Sequence, residues 1–204
     1  MSSQTMPRPG TSGPIDGRHA RSIATRDKIV TALLRLVREG DVSPSAARVA
    51  ESAGVGLRTV FRHFDEMDTL YREMSSAIEA QVMPVVLKPY EASDWRGRLR
   101  EMTDRRAAIY ETIMPYRVSA SIKRFSSQFL MQNYQRNLQL ERTSLVAVLP
   151  QAILDDAPVV SALEATLSFQ CWRRLRHDQA LTVDEARAVI GTLLDALLAR
   201  IDTA

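Results

Sequence analysis

Apolar residues recur at helical spacing along most of the chain, and no segment of useful length alternates between apolar and polar residues as a strand would. The first clear pattern covers residues 25–40, where Thr25 can cap the amino end of a helix and Gly40 can end it. The pattern stays helical towards the carboxyl end. It therefore predicts an all-α protein of about nine helices.

Two short helices follow the first one. The earlier of them spans residues 44–53, with Ser43 as the N-cap before a proline, and it ends at Gly54. The later one begins after Gly56 and ends at Phe64. Two short helices joined by a tight glycine-containing turn indicate a helix-turn-helix, whose second helix enters the major groove of DNA.

Six further helices are predicted beyond this motif. Pro84 ends the first of them, Ser93 caps the second, and Pro115 separates the second from the third. Thr182 and Glu185 have the spacing of a capping box at the start of the last helix. The six segments are residues 66–82, 93–113, 116–124, 126–149, 155–181 and 182–201.

The second helix of the predicted helix-turn-helix divides its side chains between two faces. Val55, Val60 and Phe64 can face inward and pack on the preceding helices. Arginine on the outer face offers a planar fork to guanine edges or phosphates, and threonine or histidine can meet a phosphate oxygen. For each such residue the alternative is a solvated or core position without a base contact. The candidate DNA contacts on this helix are Leu57, Arg58, Thr59, Phe61, Arg62 and His63.

Positive charge is concentrated in the amino-terminal third of the 204-residue chain. Residues 1–64 hold ten Arg and Lys against five Asp and Glu, whereas residues 65–204 hold seventeen against nineteen. A polyanion-binding module needs such local charge because it must neutralise phosphates, although a basic tail without a partner is the alternative. Four further candidate contacts to DNA are Arg21 and Arg26 near the first helix, and Ser43 and Ser45 near the second.

The chain resembles the tetracycline-repressor-like (TetR/AcrR) family of bacterial transcription regulators from "TRDKIVTALLRLVREG" through "SAARVAESAGVGLRTVFRHFDEMDTLYREM". The portion "RVAESAGV...TVFRHF" matches the helix-turn-helix signature of that family. The resemblance implies an all-helical chain of two domains that dimerises through its carboxy-terminal domain and usually represses transcription until a small molecule binds. It also implies that Phe61 occupies the place of a DNA-contacting tyrosine, and that Thr59 and His63 match residues of the family's recognition helix.

The predicted domain organisation has three parts. Residues 1–20 contain prolines and glycines among serines and threonines, which predicts a disordered basic arm. Residues 21–66 form the helix-turn-helix DNA-binding domain, and residues 67–204 form a larger helical domain for ligand binding and dimerisation.

The final predicted helix carries more apolar surface than a one-sided surface helix requires. A two-fold homodimer with a four-helix interface would cover that surface and would suit paired half-sites on a palindromic operator. Full burial within one chain is the alternative. The predicted interface residues are Leu163, Leu167, Val189, Leu193, Leu197 and Ile201.

Aromatic and methionine side chains are frequent between residues 110 and 134. Such side chains line ligand pockets well, but they also fill ordinary cores. Arg117, Lys123, Arg124 and Arg136 lie among them, which would suit an aromatic or an anionic amphipathic effector. The predicted contacts of a small hydrophobic or amphipathic ligand are Tyr110, Met114, Phe129, Tyr134, Phe169 and Trp172.

The sequence shows no site for catalysis. Its three histidines are scattered, and it has no metal-spaced cluster, glycine-rich phosphate loop or nucleophile motif. We therefore expect no enzyme activity, no metal and no cofactor besides the effector. Without a long apolar run or a signal peptide, we expect a cytoplasmic protein that does not enter the membrane. The alternative function is a helical ligand-binding or scaffold protein with a weakened, non-specific helix-turn-helix, because Phe61 lacks a hydroxyl and Asp65–Asp68 is acidic.

Overall fold

The computed structural model describes residues 15–202, which form ten α-helices and one π-helical turn and contain no β-strand. The predicted all-α fold class is confirmed, with one helix more than the sequence pattern indicates. None of the helices in this range is both long and apolar enough to cross a membrane. The elements are α1 (Ile15–Arg38), α2 (Ala46–Ala53), α3 (Leu57–His63), α4 (Met67–Val86), α5 (Trp95–Lys123), α6 (Gln128–Val146), α7 (Gln151–Leu154), α8 (Ala157–Thr166), α9 (Phe169–Arg173), the π-helical turn (Arg174–Asp178) and α10 (Val183–Asp202).

Helix α1 is longer at its amino end than predicted. It begins at Ile15 rather than Thr25, and the Thr25 hydroxyl donates inside the helix to the carbonyl of Arg21 at 2.8 Å. The part of the predicted disordered arm from residue 15 onward is therefore helical, while residues 1–14 lie outside the described range. Apolar spacing missed this extension because residues 17–24 are all exposed, so burial imposes no apolar face on them.

Two N-caps lie one or two residues after the predicted positions. Ser45 rather than Ser43 caps α2, and its hydroxyl oxygen accepts from the backbone N–H of Arg48 at 3.3 Å. Asp94 rather than Ser93 caps α5. In each case the predicted and the observed residue both have side chains that can cap a helix. The sequence alone therefore does not fix the first residue of the helix.

Two prolines that were expected to end helices lie inside them. Pro84 belongs to α4, and Pro115 belongs to α5, which continues through it without a break. An internal proline removes one backbone hydrogen bond and destabilises a helix. Tyr110 and Tyr116 are buried on either side of Pro115, so packing holds both halves of α5 in place.

The segment predicted as one helix over residues 155–181 is divided into α8, α9 and the π-helical turn. The hydroxyl oxygen of Ser168 accepts from the amide of Cys171 at 3.1 Å and starts α9 as a separate helix. The predicted capping box of the last helix is confirmed. The amide of Glu185 donates to the Thr182 hydroxyl oxygen at 3.2 Å, and the amide of Thr182 donates to the Glu185 carboxylate at 2.7 Å.

Buried apolar side chains form two clusters. The amino-terminal cluster unites α1, α2 and α3 with the first half of α4, and the carboxy-terminal cluster unites α5 with the later helices. Ile113 of α5 packs against both clusters. The predicted boundary at residue 66 stays a prediction, because α4 begins beyond it and still contributes to the amino-terminal cluster. Its contributions are Leu70, Tyr71, Met74 and Ile78.

Candidate nucleic-acid interface and effector cavity

Helix α3 turns one face to the protein and the other to solvent. Val60 and Phe64 are 1% and 2% exposed and pack within the amino-terminal cluster, which confirms their predicted inward orientation. Arg58 and Arg62 are exposed, and neither has a hydrogen-bond or ion-pair partner among residues 15–202. The outer face therefore offers two guanidinium groups that no internal contact occupies.

Two large apolar side chains share this outer face. Leu57 is 45% exposed and Phe61 is 46% exposed, while Thr59 between them is half-buried. Gly54 makes the turn before α3 possible, since its φ of 65° lies in the left-handed region that favours glycine. Apolar side chains beside cations suit a DNA groove, where thymine methyl groups and phosphates lie close together.

Arg26 does not project from α1 as predicted. Its guanidinium donates to the backbone carbonyl of His63 at 2.8 Å and to the Glu73 carboxylate at 2.7 Å, and it lies 4.3 Å over the ring of Phe64. These contacts tie α1 to the carboxyl end of α3 and to α4. Binding a phosphate would require Arg26 to give up these contacts, which help to position α3, and its role in DNA binding stays a prediction.

His63 also differs from its predicted role. Its Nε2 atom is buried and has no hydrogen-bond partner within the described part of the chain. Burial, with Arg62 and Arg26 nearby, lowers the pKa of the imidazole below its usual value. The place of His63 among the DNA contacts stays a prediction.

The other predicted contacts lie beside α3 or on α1. Arg21 is exposed on α1, where its Nε donates to the Gly17 carbonyl at 2.8 Å. Ser43 is exposed, and Ser45 is exposed but uses its hydroxyl oxygen as the α2 cap. Arg21, Ser43 and Ser45 thus stay predictions, together with Leu57, Arg58, Thr59, Phe61 and Arg62.

A cavity of about 880 Å³ lies between α4, α5, α6 and α9. Its volume is in the range of small-molecule sites in proteins, roughly 300–1,000 Å³. Three of the six residues predicted to contact a ligand line it, namely Tyr110, Tyr134 and Phe169. The apolar part of the wall also includes Met74, Ile78, Val82, Ile109, Ile113 and Leu130.

The other three predicted ligand contacts lie away from the cavity. Met114 packs against the carboxy-terminal cluster, and the ring of Phe129 lies under the Arg72 guanidinium at 4.3 Å. Trp172 is buried, and its Nε1 donates to the Glu111 carboxylate at 2.8 Å. Helical spacing predicts which residues share a face, but it does not predict which faces enclose empty space. These three residues therefore belong to the core of the protein.

The cavity wall is strongly basic. Six arginines line it against two glutamates, which gives an excess of four positive charges. Glu79 forms an ion pair with Arg136 at 2.6 Å, and Glu141 forms one with Arg117 at 2.5 Å. The sequence places Arg117, Arg124 and Arg136 among the aromatic residues of this region, but ion pairs between distant residues cannot be predicted from it. Within the described range, no three metal-binding side chains converge on a common point. The remaining arginines of the wall are Arg105, Arg106, Arg124 and Arg173.

Solved structures with the same arrangement of helices exist. One is a transcriptional regulator from Rhodococcus sp. Rha1, which is 16% identical with a TM-score of 0.62, over 85% of this chain and 96% of that chain. Another is the multidrug binding protein EbrR complexed with imidazole, which is 21% identical with a TM-score of 0.56, over 93% of this chain and 97% of that chain. The chain has a TetR-like fold. No family model matches the sequence, and no curated protein matches it significantly.

One contact joins the cavity to the amino-terminal bundle of this TetR-like fold. Tyr116 is buried and lines the cavity, and its hydroxyl oxygen accepts from Nε and Nη2 of Arg38 in α1 at 3.2 and 3.0 Å. Met74 and Ile78 of α4 belong to both the cavity wall and the amino-terminal cluster. Arg38 and Tyr116 are 78 positions apart, and no local sequence signal connects them. The cavity wall therefore shares residues with the core around α4 and contacts Arg38 of α1.

The residues predicted for the dimer interface have different environments in the TetR-like fold. Leu163 and Leu167 are buried in the core of their own chain and have no surface to offer a partner, so we remove them from the interface. Periodicity failed here because α8 is apolar on nearly all sides. Leu193 is 42% exposed. The other three are half-buried and pack against the carboxy-terminal cluster, namely Val189, Leu197 and Ile201.

Proposed function

We propose that this chain is a homodimeric transcription repressor that binds a palindromic DNA operator through α3 and is released when a small molecule occupies the cavity. The observation that carries the proposal is the outer face of α3, where Arg58 and Arg62 are exposed and have no partner among residues 15–202. The opposite face of the same helix closes an apolar core, which holds the backbone that carries the two arginines in place. In a helix-turn-helix this second helix enters the major groove, and arginine forks read guanine edges there.

A homodimer is supported by exposed surface on two neighbouring helices. Val189, Leu193 and Ala196 follow one another at helical spacing along α10, and the last two are exposed. Pro158 and Ala165 are exposed on α8, which packs beside α10. Small residues allow a second pair of helices to approach closely. Pairing these faces about a two-fold axis would give the two copies of α3 a fixed separation.

Release by an effector would use the contacts between the cavity and the amino-terminal bundle. A ligand that touches Tyr116 also touches the residue that holds Arg38 of α1, and a ligand that touches Met74 also touches the core beneath α3. The effector can shift the separation of the two α3 helices only if it binds one arrangement better than the other. We propose that it prefers the arrangement that does not match the operator.

Selection of bound fragments from a random DNA pool by the purified protein, at two salt concentrations, tests the proposal. We expect a palindrome whose half-sites are separated by about one helical turn of DNA, roughly 34 Å, or a multiple of it. Sequence-blind binding that only follows salt, or no binding, would contradict a specific repressor.

The second candidate function is a helical ligand-binding or scaffold protein that does not grip DNA specifically. It is favoured by Asp65 and Glu66, which are exposed directly after α3 and would repel phosphates nearby. Phe61 adds to it, since its ring has no hydroxyl to donate to a phosphate. The same selection separates the two functions, because the scaffold predicts no enriched palindrome.

A further inference from the structure

We propose that the cavity binds an anionic amphipath, and that Arg124 is the residue that receives its negative charge. The ligand class is a monoanion such as a carboxylate on a long apolar body. This inference deepens the proposed function by naming the effector class. It rests on that function only for its regulatory consequence, because the binding itself is measurable without DNA.

Two of the six cavity arginines are balanced by glutamates, and three others have their own acceptors. Arg173 lies 3.5 Å from the Asp178 carboxylate. Arg106 donates to the backbone carbonyls of Leu167, at 2.9 Å, and Glu141. Arg105 donates to the Pro89 carbonyl at 3.2 Å. Each of these three arginines therefore has an acceptor within the protein, although only Arg173 has a carboxylate.

Arg124 differs from the other five in having no partner among residues 15–202 for any of its nitrogens. Nη2 of Arg117 is also buried without a hydrogen-bond partner among residues 15–202, but the Arg117 guanidinium already pairs with the Glu141 carboxylate through Nη1. Arg124 has neither a hydrogen-bond acceptor nor a carboxylate partner in this range, and its Nε atom is buried. Its guanidinium carbon lies 4.2 Å from the centre of the Tyr134 ring and 4.8 Å from that of Phe125. Stacking occupies the flat faces of a guanidinium and leaves the N–H groups at its edge unused. Arg124 is half-buried and lines the cavity, so a carboxylate in the cavity can meet the Nη groups, rather than the buried Nε, with charge-assisted hydrogen bonds.

The rest of the cavity suits the apolar part of such a ligand. Tyr110 and Arg117 are seven residues apart on one face of α5, and Arg124, a further seven residues on, is the C-cap residue directly after the helix. All three line the cavity. Residues fourteen positions apart are separated by roughly 21 Å along a helix axis, enough for a chain of about ten carbons. Apolar side chains of α4 and α6 face the same space, including Met74, Ile78 and Leu130.

A cationic amphipath would not fit this wall. The two acidic side chains of the cavity, Glu79 and Glu141, are already in ion pairs with Arg136 and Arg117. A ligand cation would have to displace an arginine from one of these pairs and would then face an unbalanced positive charge. The head group of the ligand, rather than its length, should thus decide binding.

The test uses three probes with the same ten-carbon chain and different head groups: decanoate, 1-decanol and decylammonium. Isothermal titration calorimetry on the free protein should show that decanoate binds at least roughly tenfold more tightly than 1-decanol, and that decylammonium binds more weakly still. Arg124→Gln should remove the preference for decanoate over 1-decanol, and Arg124→Lys should restore part of it. Arg142→Gln is the matched control, because Arg142 pairs with Glu164 outside the cavity and its loss removes the same charge.

Several outcomes would overturn the proposal. Equal binding of the three probes, tighter binding of decylammonium, or no binding of any probe would show that the cavity does not select anions. A preference for decanoate that survives in Arg124→Gln would show that another residue receives the charge. Far-ultraviolet circular dichroism and thermal unfolding of each variant establish that it is folded.

The two proposals can fail separately. If the DNA selection finds no palindrome but decanoate binds through Arg124, the anion site stands and the repressor is excluded. If a palindrome is found but no probe prefers the cavity, the repressor stands and the anion site is excluded.

Discussion

The two bundles of this protein use arginine in opposite ways. In the amino-terminal bundle, Arg58 and Arg62 project outward from a helix whose inner face has almost no exposed surface. In the carboxy-terminal bundle, six arginines turn towards an 880 Å³ cavity. A close-packed core fixes the backbone that carries the surface arginines, whereas the cavity is a region where packing is incomplete. The comparison teaches that the proposed DNA-reading surface and the proposed ligand site lie in differently packed parts of the chain.

The largest effect should come from opening the core beneath α3. Phe64→Ala removes a side chain that is 2% exposed and that also supports the Arg26 guanidinium. We expect it to lower the free energy of unfolding by about 3–5 kcal/mol, as in other Phe→Ala core substitutions. Urea unfolding followed by circular dichroism at 222 nm measures it.

Phe61→Ala is the matched control on the same helix. Its ring is 46% exposed, so we expect a change within about 0.5 kcal/mol. Equal destabilisation by the two substitutions would mean that the outer face of α3 is also packed, and the contrast between the closed core and the free surface would be lost.

The next effect concerns the surface that would join two copies of the chain. Leu193→Asp places a carboxylate on each side of the proposed two-fold interface, where it would be desolvated without a partner. We expect the dimer dissociation constant to rise roughly 100-fold or more, about 3 kcal/mol, measured by sedimentation equilibrium. Thr192→Asp adds the same charge at the neighbouring exposed position of α10 and should leave assembly intact. Dimers that tolerate Leu193→Asp would place the interface elsewhere.

A smaller effect should distinguish base reading from phosphate binding. Arg58→Ala should reduce the preference for the selected operator over random DNA by about 1–3 kcal/mol, because a guanidinium fork reads a base edge. Arg21→Ala should weaken binding to operator and random DNA by the same factor as each other. It should also lower the slope of log K against log salt concentration by about 1, because one phosphate contact is lost. Fluorescence anisotropy titrations on both DNAs at several salt concentrations compare the two variants. Unchanged specificity in Arg58→Ala would show that α3 does not read the operator.

Local patterns could be predicted from the sequence, whereas contacts between distant residues and gaps in packing could not. Val60 and Phe64 were placed correctly because helical periodicity is a local pattern that burial enforces. The internal contacts of Arg26 could not be predicted, because its partners, the His63 carbonyl and Glu73, are distant in sequence and come together only in the folded chain. The cavity could not be located, because periodicity reports which residues are buried and not where packing is incomplete. Leu163 shows the same limit, since an apolar side chain fits a core and an interface equally well.

Arg176 lies outside the cavity in the carboxy-terminal bundle, and its charge is balanced by the Glu111 carboxylate. Removing that carboxylate should give the smallest of the expected effects. Glu111 of α5 accepts from Nε and Nη2 of Arg176 at 2.8 and 2.9 Å and from Nε1 of Trp172 at 2.8 Å. These hydrogen bonds, led by those from Arg176, lower the pKa of the Glu111 carboxyl below its ordinary value of 4.5. Glu111→Gln keeps an acceptor for Trp172 but removes the charge. We expect it to lower the free energy of unfolding at pH 7 by about 1–2 kcal/mol.

The sign of the pH dependence follows from the lowered pKa. The unfolded chain takes up the Glu111 proton first as the pH falls, so the stabilisation is complete above pH 4.5 and is lost as the pH drops through the lower pKa of the folded protein. The free energies of unfolding of the wild type and Glu111→Gln should thus differ at pH 7 and converge at acidic pH. Urea unfolding followed by tryptophan fluorescence measures both. Glu164→Gln, at an exposed ion pair with Arg142, should change the free energy of unfolding by less than about 0.5 kcal/mol.

A difference in the free energy of unfolding between wild type and Glu111→Gln that stays constant with pH would contradict this prediction. It would mean that the amide of glutamine disturbs packing and that the charge of Glu111 contributes nothing. In that case pairing Arg176 with a carboxylate would not stabilise the protein, and the contrast with Arg124, which has no carboxylate partner among residues 15–202, would have no measurable effect on stability.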